Sequence, residues 1–178
     1  MRQFQILILP WMANRNTLNR RKGVVAMFQP GTAHTVVPGA GRSVELGVAS
    51  MRVLAGGDGE TGGAFTVAEF AGTAEGPWTV PHLHRGFEES FFILDGMFTF
   101  TVGEEPIEAT PGMYILVPRG TAHMISAAEG GGRFLTLMVP GGLEEMFFAL
   151  GRLGPEAIRD PAARAAVSAR YDSIPVSS

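Results

Sequence analysis

The sequence contains no cysteine. Disulfide bonds, thiolate metal sites and cysteine nucleophiles are therefore excluded, and a metal would have to be bound by nitrogen and oxygen ligands. Charged residues are also scarce, at 17% of the chain, and the formal net charge is −3. Lys22 is the only lysine, and no basic stripe follows residue 23. The composition therefore argues against binding to nucleic acid.

Long apolar runs are missing as well. None approaches the roughly 20 residues that a membrane-spanning helix needs. The apolar run at residues 6–13 is short, is interrupted by Pro10 and lacks a clear cleavage site, which makes it a poor secretory signal. We therefore expect a cytoplasmic protein without a membrane partner.

The residues that are abundant favour strands. The chain has 178 residues, enough for one domain, and it combines 46% hydrophobic residues with 24 glycines and 12 prolines. This composition is typical of many short strands joined by tight turns. Short alternating or apolar segments predict strands at residues 44–48, 65–70, 91–94, 97–102, 114–117 and 134–139. We predict an all-β barrel or sandwich.

Glycine-containing segments predict the turns. Asp95-Gly96 is predicted as a type I′ turn that joins residues 91–94 and 97–102 in a hairpin, since both central residues of that turn need positive φ. Residues 56–63 and 130–132 are predicted as further turns.

Two short helices are predicted near the C-terminus. Four apolar residues recur at the spacing of one helical face, and Gly151 follows them as a stop: Leu143, Met146, Phe147 and Leu150. Asp160 as N-cap and Pro161 in the first turn predict the second helix. Its buried side would hold Ala163, Val167 and Tyr171.

The composition divides the chain into an N-terminal arm at residues 1–26, a β-barrel at 27–142, and helices with a tail at 143–178. Residues 1–23 hold all the asparagines and the lysine but no acid, unlike the rest. Two explanations stay open: a genuine arm, or a start codon chosen upstream of a true start at Met27. We expect a poorly ordered segment rather than an integral strand.

Three of the four histidines lie in two spaced patterns. The first pattern is Gly76-x5-His82-x-His84-x4-Glu89-x6-Gly96, where x is any residue. The second is Gly112-x5-Pro118-x-Gly120-x2-His123. Residues two apart on a strand share a face, so the first two histidines project together. Glu89 shares the register of Phe91 and Ile93, whereas Glu88 points the opposite way.

Three imidazoles and one carboxylate would occupy four positions of an octahedron and leave two for substrate, water or dioxygen. Such a site suits one divalent transition metal: Fe, Mn, Ni, Co, Cu or Zn. His34 lies outside both patterns and is interpreted as a surface or packing residue, and Arg85, Glu88 and Arg119 as solvated. The aromatic residues near the motifs are interpreted mainly as core. Those that face the metal, among them Phe91 and Phe134, are assigned to a substrate pocket together with Ile93.

The stretches GPWTVPHLHRGFEESFFILDG and GMYILVPRGTAH resemble the two signature motifs of the cupin superfamily. The resemblance implies a single double-stranded β-helix, or jelly-roll, barrel with one or two short C-terminal helices. It also implies a homodimer, because cupins often extend an N-terminal strand onto a neighbouring subunit. One departure is Ala127, where an asparagine that is not a ligand often stands.

Within the superfamily, the motifs and the tail segments PGGLEEMFFALGR and DPAARAAVSARYD resemble bacterial single-barrel cupins of the quercetin 2,3-dioxygenase group. The resemblance implies that a deprotonated enol or flavonol reacts with O2 at the metal, and that Glu89 is both ligand and proton acceptor. The sequence therefore predicts a metal-dependent dioxygenase acting on a small aromatic or enolic substrate.

Two alternatives stay open. A cupin isomerase for phosphorylated sugars should place several lysines or arginines in the pocket, and the barrel sequence has no lysine and few arginines. A non-catalytic module that binds a metal or a small molecule would not need two open metal positions.

Overall fold

Short strands dominate the computed structural model of the protein, which describes residues 33–57 and 59–176. The strands of this part are β1 Arg42–Glu45, β2 Ser50–Ala55, β3 Thr66–Gly72, β4 Gly76–Pro77, β5 His82–Leu83, β6 Glu88–Val102, β7 Glu105–Ala109, β8 Tyr114–Val117, β9 His123–Val139 and β10 Ile174–Pro175. The helices are α1 Glu144–Gly151, α2 Gly154–Ala157 and α3 Pro161–Ser168, with a 3-10 turn at Ala169–Tyr171. The predicted arm at residues 1–26 lies outside the described residues.

All strand pairs are antiparallel in the described part of the chain, and the two longest strands organise them. β6 pairs with β8 near its start, with β7 near its end, and with β9 over almost its whole length. β9 also pairs with β3, β4 and β5, and β3 continues through β2 to β1. The predicted all-β jelly-roll barrel with short C-terminal helices is confirmed.

The predicted hairpin at Asp95-Gly96 is wrong. Both residues lie inside β6, where they pair with Arg133 and Gly132 of β9 between two register shifts. Gly96 has φ of 76°, and a Cβ there would collide with the carbonyl of Gly131. The dipeptide therefore forms an irregularity in a continuous strand instead of a reversal. The predicted turn at 130–132 is wrong for the same reason, since β9 runs through it.

The alternation at residues 65–70 does mark a strand, β3, and Thr66, Ala68 and Phe70 form its buried face. A threonine can be fully buried here because its Oγ1 donates to Glu144 Oε2 at 2.5 Å. The segment 44–48 is strand only as far as Glu45, and buried Leu46 lies in the connection to β2.

Both predicted helices are confirmed. Leu143, Met146 and Leu150 are buried along α1, and Phe147 meets Phe70 edge-on at 5.1 Å between ring centroids. The second predicted helix is α3. The Asp160 side chain caps it by accepting a hydrogen bond from Ala162 N at 2.9 Å, and Val167 is its buried residue.

The C-terminal tail returns to the barrel after α3. β10 pairs with β5, with Ile174 opposite Leu83 and Pro175 opposite His82. The backbone N–H of Val176 then donates to Pro81 O at 3.1 Å. The tail thus lies directly against the strand that carries His82 and ends one residue before His84. Among the described residues, no helix has the length and apolar character needed to cross a membrane.

Candidate metal centre

Three neighbouring strands bring the predicted ligands together. His82 of β5 lies opposite His123 at the start of β9, and Glu89 is the second residue of β6. All four side chains are buried, and one ligand atom from each lies within 4.8 Å of the others. The structure therefore groups His82, His84, Glu89 and His123 as residues that can hold a metal ion.

Backbone carbonyls fix the orientation of the three imidazoles. The Nδ1 atoms lie 2.8 Å from Val80 O for His82, 2.8 Å from Asp172 O for His84, and 3.2 Å from Thr121 O for His123. A carbonyl oxygen can only accept a hydrogen bond, so each Nδ1 must donate. In the neutral imidazole this leaves the Nε2 lone pair free to bind a metal.

The carboxylate of Glu89 lies between two of these rings. Its Oε2 is 3.2 Å from His84 Nε2 and 3.1 Å from His123 Nε2. Burial would raise the pKa of Glu89, but the hydrogen bonds from His123 and His84 outweigh it and hold the pKa below its usual range. Burial lowers the pKa of His82 to about 4. For His84 burial acts in the same sense, but the contacts with Glu89 raise the pKa overall.

This donor set fits a divalent cation. With Nδ1 committed to carbonyls, a ring that donates from Nε2 to Glu89 needs a second proton and becomes a cation. A metal ion would supply positive charge at the same place and accept the Nε2 lone pairs directly. Three nitrogens and one carboxylate oxygen suit Fe, Mn, Co, Ni, Cu or Zn rather than Ca or Mg.

The remaining polar residues near the motifs lie away from the cluster. Glu88 is half-exposed and pairs with Arg119, with 3.1 Å between Oε1 and Nε. Arg85 is exposed. His34 is exposed and its Nε2 lies 2.7 Å from Leu54 O. The alternation of β6 therefore separates Glu89 from Glu88 as the strand register predicts.

A cavity of about 750 Å³ opens beside the cluster and is lined by His82, Glu89 and His123. Small-molecule sites commonly have volumes of about 300–1,000 Å³. The predicted pocket residues Phe91 and Phe134 line it. Ile93 does not, because it lies two residues farther along the inner face of β6, fully buried in the core. Other aromatic rings of the wall belong to Phe70, Trp78 and Phe147.

Three features of the site have no local sequence signal. Asp172 holds the His84 imidazole through its backbone carbonyl, although 88 residues separate the two. Arg159 and Arg164, from α3 and the residues before it, line the cavity that barrel residues alone were expected to form. Their positions follow from the tertiary return of the tail, which no short motif encodes.

The comparisons with known proteins concern the barrel part of the chain. Residues 67–140 match the family model described as a cupin domain. Quercetin 2,3-dioxygenase from Bacillus subtilis is 31% identical over 91 residues, which are 51% of this chain and 27% of that protein. The matched segment therefore spans about a quarter of that relative's length.

Two solved structures have the same fold. The polyketide cyclase RemF from Streptomyces resistomycificus aligns with a TM-score of 0.52 and 24% identity, over 61% of this chain and 80% of that chain. An RmlC-like cupin from Shewanella frigidimarina aligns with a TM-score of 0.52 and 16% identity, over 62% of this chain and 93% of that chain. The segment matched by the family model contains all four clustered residues, and the barrel around them has the same fold as these two structures.

Proposed function

We propose that this protein is a cupin and a metal-dependent dioxygenase that acts with O2 on a small aromatic or enolic, flavonol-like substrate. The observation that carries the proposal is the position of the four convergent donors on the wall of an apolar, aromatic-lined cavity. His82, His84, Glu89 and His123 would hold one divalent transition metal. When bound, such a metal would supply a Lewis acid and, if it is Fe, Mn, Co, Ni or Cu, a redox-active centre.

The chain's own residues would bind and orient the substrate. Phe91, Phe134 and Trp78 offer ring faces and edges to a flat substrate. Glu89 is ionised at neutral pH because its pKa is lowered. It borders the cavity, so its carboxylate can accept the proton of an enol or phenol that binds there. Met146 and Leu150 of α1 cover another part of the wall and would exclude water.

The comparisons support this proposal without extending to a substrate. The Bacillus subtilis relative, 31% identical over 91 residues, is named quercetin 2,3-dioxygenase. A second candidate is an isomerase of anionic hydroxy-carbonyl compounds, favoured by the guanidinium groups of Arg159 and Arg164 at the cavity. The two candidates differ in their need for oxygen.

Oxygen uptake tests the proposal. Full-length protein loaded with Fe(II), Mn(II), Co(II) or Ni(II) is offered flavonols and other acidic enols in an oxygen-electrode cell. We expect uptake with at least one metal and substrate, and its loss in Glu89→Ala. The matched control is Glu88→Ala, whose side chain pairs with Arg119 away from the cavity. If no combination consumes oxygen, the dioxygenase proposal fails.

We also propose a homodimer. Four exposed apolar side chains lie on the outer face of β8, β6 and β9: Tyr114, Phe92, Leu116 and Leu137. Adjacent exposed apolar residues of this kind are typical of protein–protein interfaces. Light scattering on the purified protein measures the mass directly, and Leu116→Glu should convert a dimer to a monomer.

A further inference from the structure

One side of the cavity carries cationic side chains. Arg164 of α3 and Arg159 before it line the same space as His82, Glu89 and His123. The rest of the wall is largely apolar. The same cavity is therefore lined by residues of the candidate metal centre, by arginines and by aromatic rings.

Arg164 is held in a half-buried position. Its Nη1 donates to the backbone carbonyl of Ile158 at 3.3 Å, which uses one of its five N–H groups. Burial lowers the pKa of its guanidinium. The ion pairs of residues 33–57 and 59–176 join other arginines to acids, and none of them involves Arg164.

A half-buried cation without a paired anion is costly to keep, because the site removes water without replacing it with a counter-charge. An anion that enters the cavity would remove that cost and gain charge-assisted hydrogen bonds. A guanidinium is a planar fork of donors, which matches the two oxygens of a carboxylate. Ordinary packing would not require a charged group at this wall.

We infer that Arg164 is a specificity-determining residue that binds a carboxylate on an aromatic substrate. The inference rests on the proposed function, which defines the end of the substrate that reacts at the metal. It adds a carboxylate to the description of the substrate. The substrate carries a metal-binding enol or phenol at one end and a carboxylate at the other. Arg159 is exposed and lines the same cavity, so it attracts the anion from solvent.

Calorimetric binding of a matched ligand pair tests the inference. Naphthalene-2-carboxylate and the neutral naphthalene-2-carboxamide have nearly the same shape and differ in charge. Both are titrated into the full-length protein as purified and again in the presence of a chelator, which removes any direct contact between carboxylate and metal. We expect the wild-type protein to bind the carboxylate at least tenfold more tightly than the amide in both conditions.

Arg164→Gln should lower the affinity for the carboxylate at least tenfold and change the affinity for the amide by no more than about twofold. The substitution removes the charge and keeps a polar side chain. Arg164→Lys should retain part of the preference, because it keeps the charge but loses the planar fork of donors. Arg170→Gln is the matched control, since Arg170 lies over the Tyr171 ring outside the cavity wall. Unchanged binding of the amide shows that the pocket of each variant is intact.

Equal affinity of the wild-type protein for the two ligands would overturn the inference. So would an equal loss of affinity for the carboxylate and the amide in both Arg164→Gln and Arg164→Lys. That result would show that the arginine only contributes to packing. These measurements involve no turnover. A failed oxygen-uptake experiment therefore leaves them interpretable, and a failed binding experiment leaves the dioxygenase proposal standing.

Discussion

The imidazole of His84 donates from Nδ1 to the backbone carbonyl of Asp172, 2.8 Å away and 88 residues later in the chain. The carboxylate of Asp172 also accepts a hydrogen bond from Gly86 N at 2.6 Å. One residue of the tail therefore holds both a candidate ligand and the turn that follows it. Asp172 adopts a left-handed conformation with φ of 60°.

Removing the Asp172 carboxylate should weaken metal binding. Asp172→Gly tolerates the positive φ and deletes the bond to Gly86, so we expect the metal affinity to fall about tenfold, the scale typical of residues that orient ligands. Asp172→Asn keeps an acceptor and the left-handed preference and serves as the control. Chelator competition measures both. An unchanged affinity in Asp172→Gly would mean that the carboxylate does not position His84.

A second prediction concerns the buried carboxylate of Glu144 at the start of α1. It accepts hydrogen bonds from Gly57 N at 2.6 Å, Gly142 N at 2.8 Å and Thr66 Oγ1 at 2.5 Å. Glu144→Ala leaves these buried donors without an acceptor and should lower the free energy of unfolding by about 3 kcal/mol. Urea denaturation measures the change.

The neighbouring residue gives the control for Glu144. Glu145 is partly exposed and pairs with the exposed Arg42 at 3.0 Å. Glu145→Ala should therefore change the free energy of unfolding by less than about 1 kcal/mol. Similar losses in the two variants would show that the Glu144 network does not stabilise the connection between barrel and helices.

The metal-free protein should lose stability in acid. Burial lowers the pKa of His82 in the folded protein from its ordinary value of 6.5 to about 4. Between these values the unfolded chain binds a proton that the folded chain excludes, so the free energy of unfolding falls as the pH falls from 6.5 to 4. The shift corresponds to a loss on the order of 3 kcal/mol. The lowered pKa of Glu89 acts in the same direction at pH values below 4.5, the ordinary pKa of a glutamate.

Denaturation with a chelator present, at a series of pH values, measures this dependence. His84 acts oppositely, since its raised pKa gives stability that is lost as the pH rises above 6.5. His82→Gln should reduce the fall in the free energy of unfolding between pH 6.5 and 4, whereas His34→Gln, at an exposed position, should not. If the free energy of unfolding falls no more steeply in the wild-type protein than in His82→Gln, the lowered pKa of His82 is not the cause of the loss of stability in acid.

The candidate ligands could be predicted from sequence because their geometry is local. His82 and His84 share a face by strand alternation, and the same alternation separates Glu89 from Glu88. The hairpin at Asp95-Gly96 was mispredicted because the dipeptide preference is local, whereas the pairing of β6 with β9 is set by the whole barrel. A glycine with positive φ serves a strand irregularity as well as a turn.

The remaining features could not be read from short patterns. Thr66 can be buried because Glu144, 78 residues later, accepts a hydrogen bond from its hydroxyl group. Arg164 reaches the cavity because α3 packs against α1 and borders the cavity before the tail joins β5. Such contacts depend on the tertiary arrangement, and no local sequence pattern predicts them.

The central claim is that His82, His84, Glu89 and His123 hold one divalent transition metal, and metal content measured on matched variants tests it most directly. The full-length protein is loaded with Co(II) or Fe(II), desalted and measured by elemental analysis. We expect about one ion per chain in the wild-type protein, Glu88→Ala and His34→Ala. We expect loss of most of the metal in the alanine variants of the four cluster residues. Demetallation by Glu88→Ala with full retention in Glu89→Ala, or a wild-type protein that retains no metal, would contradict the account.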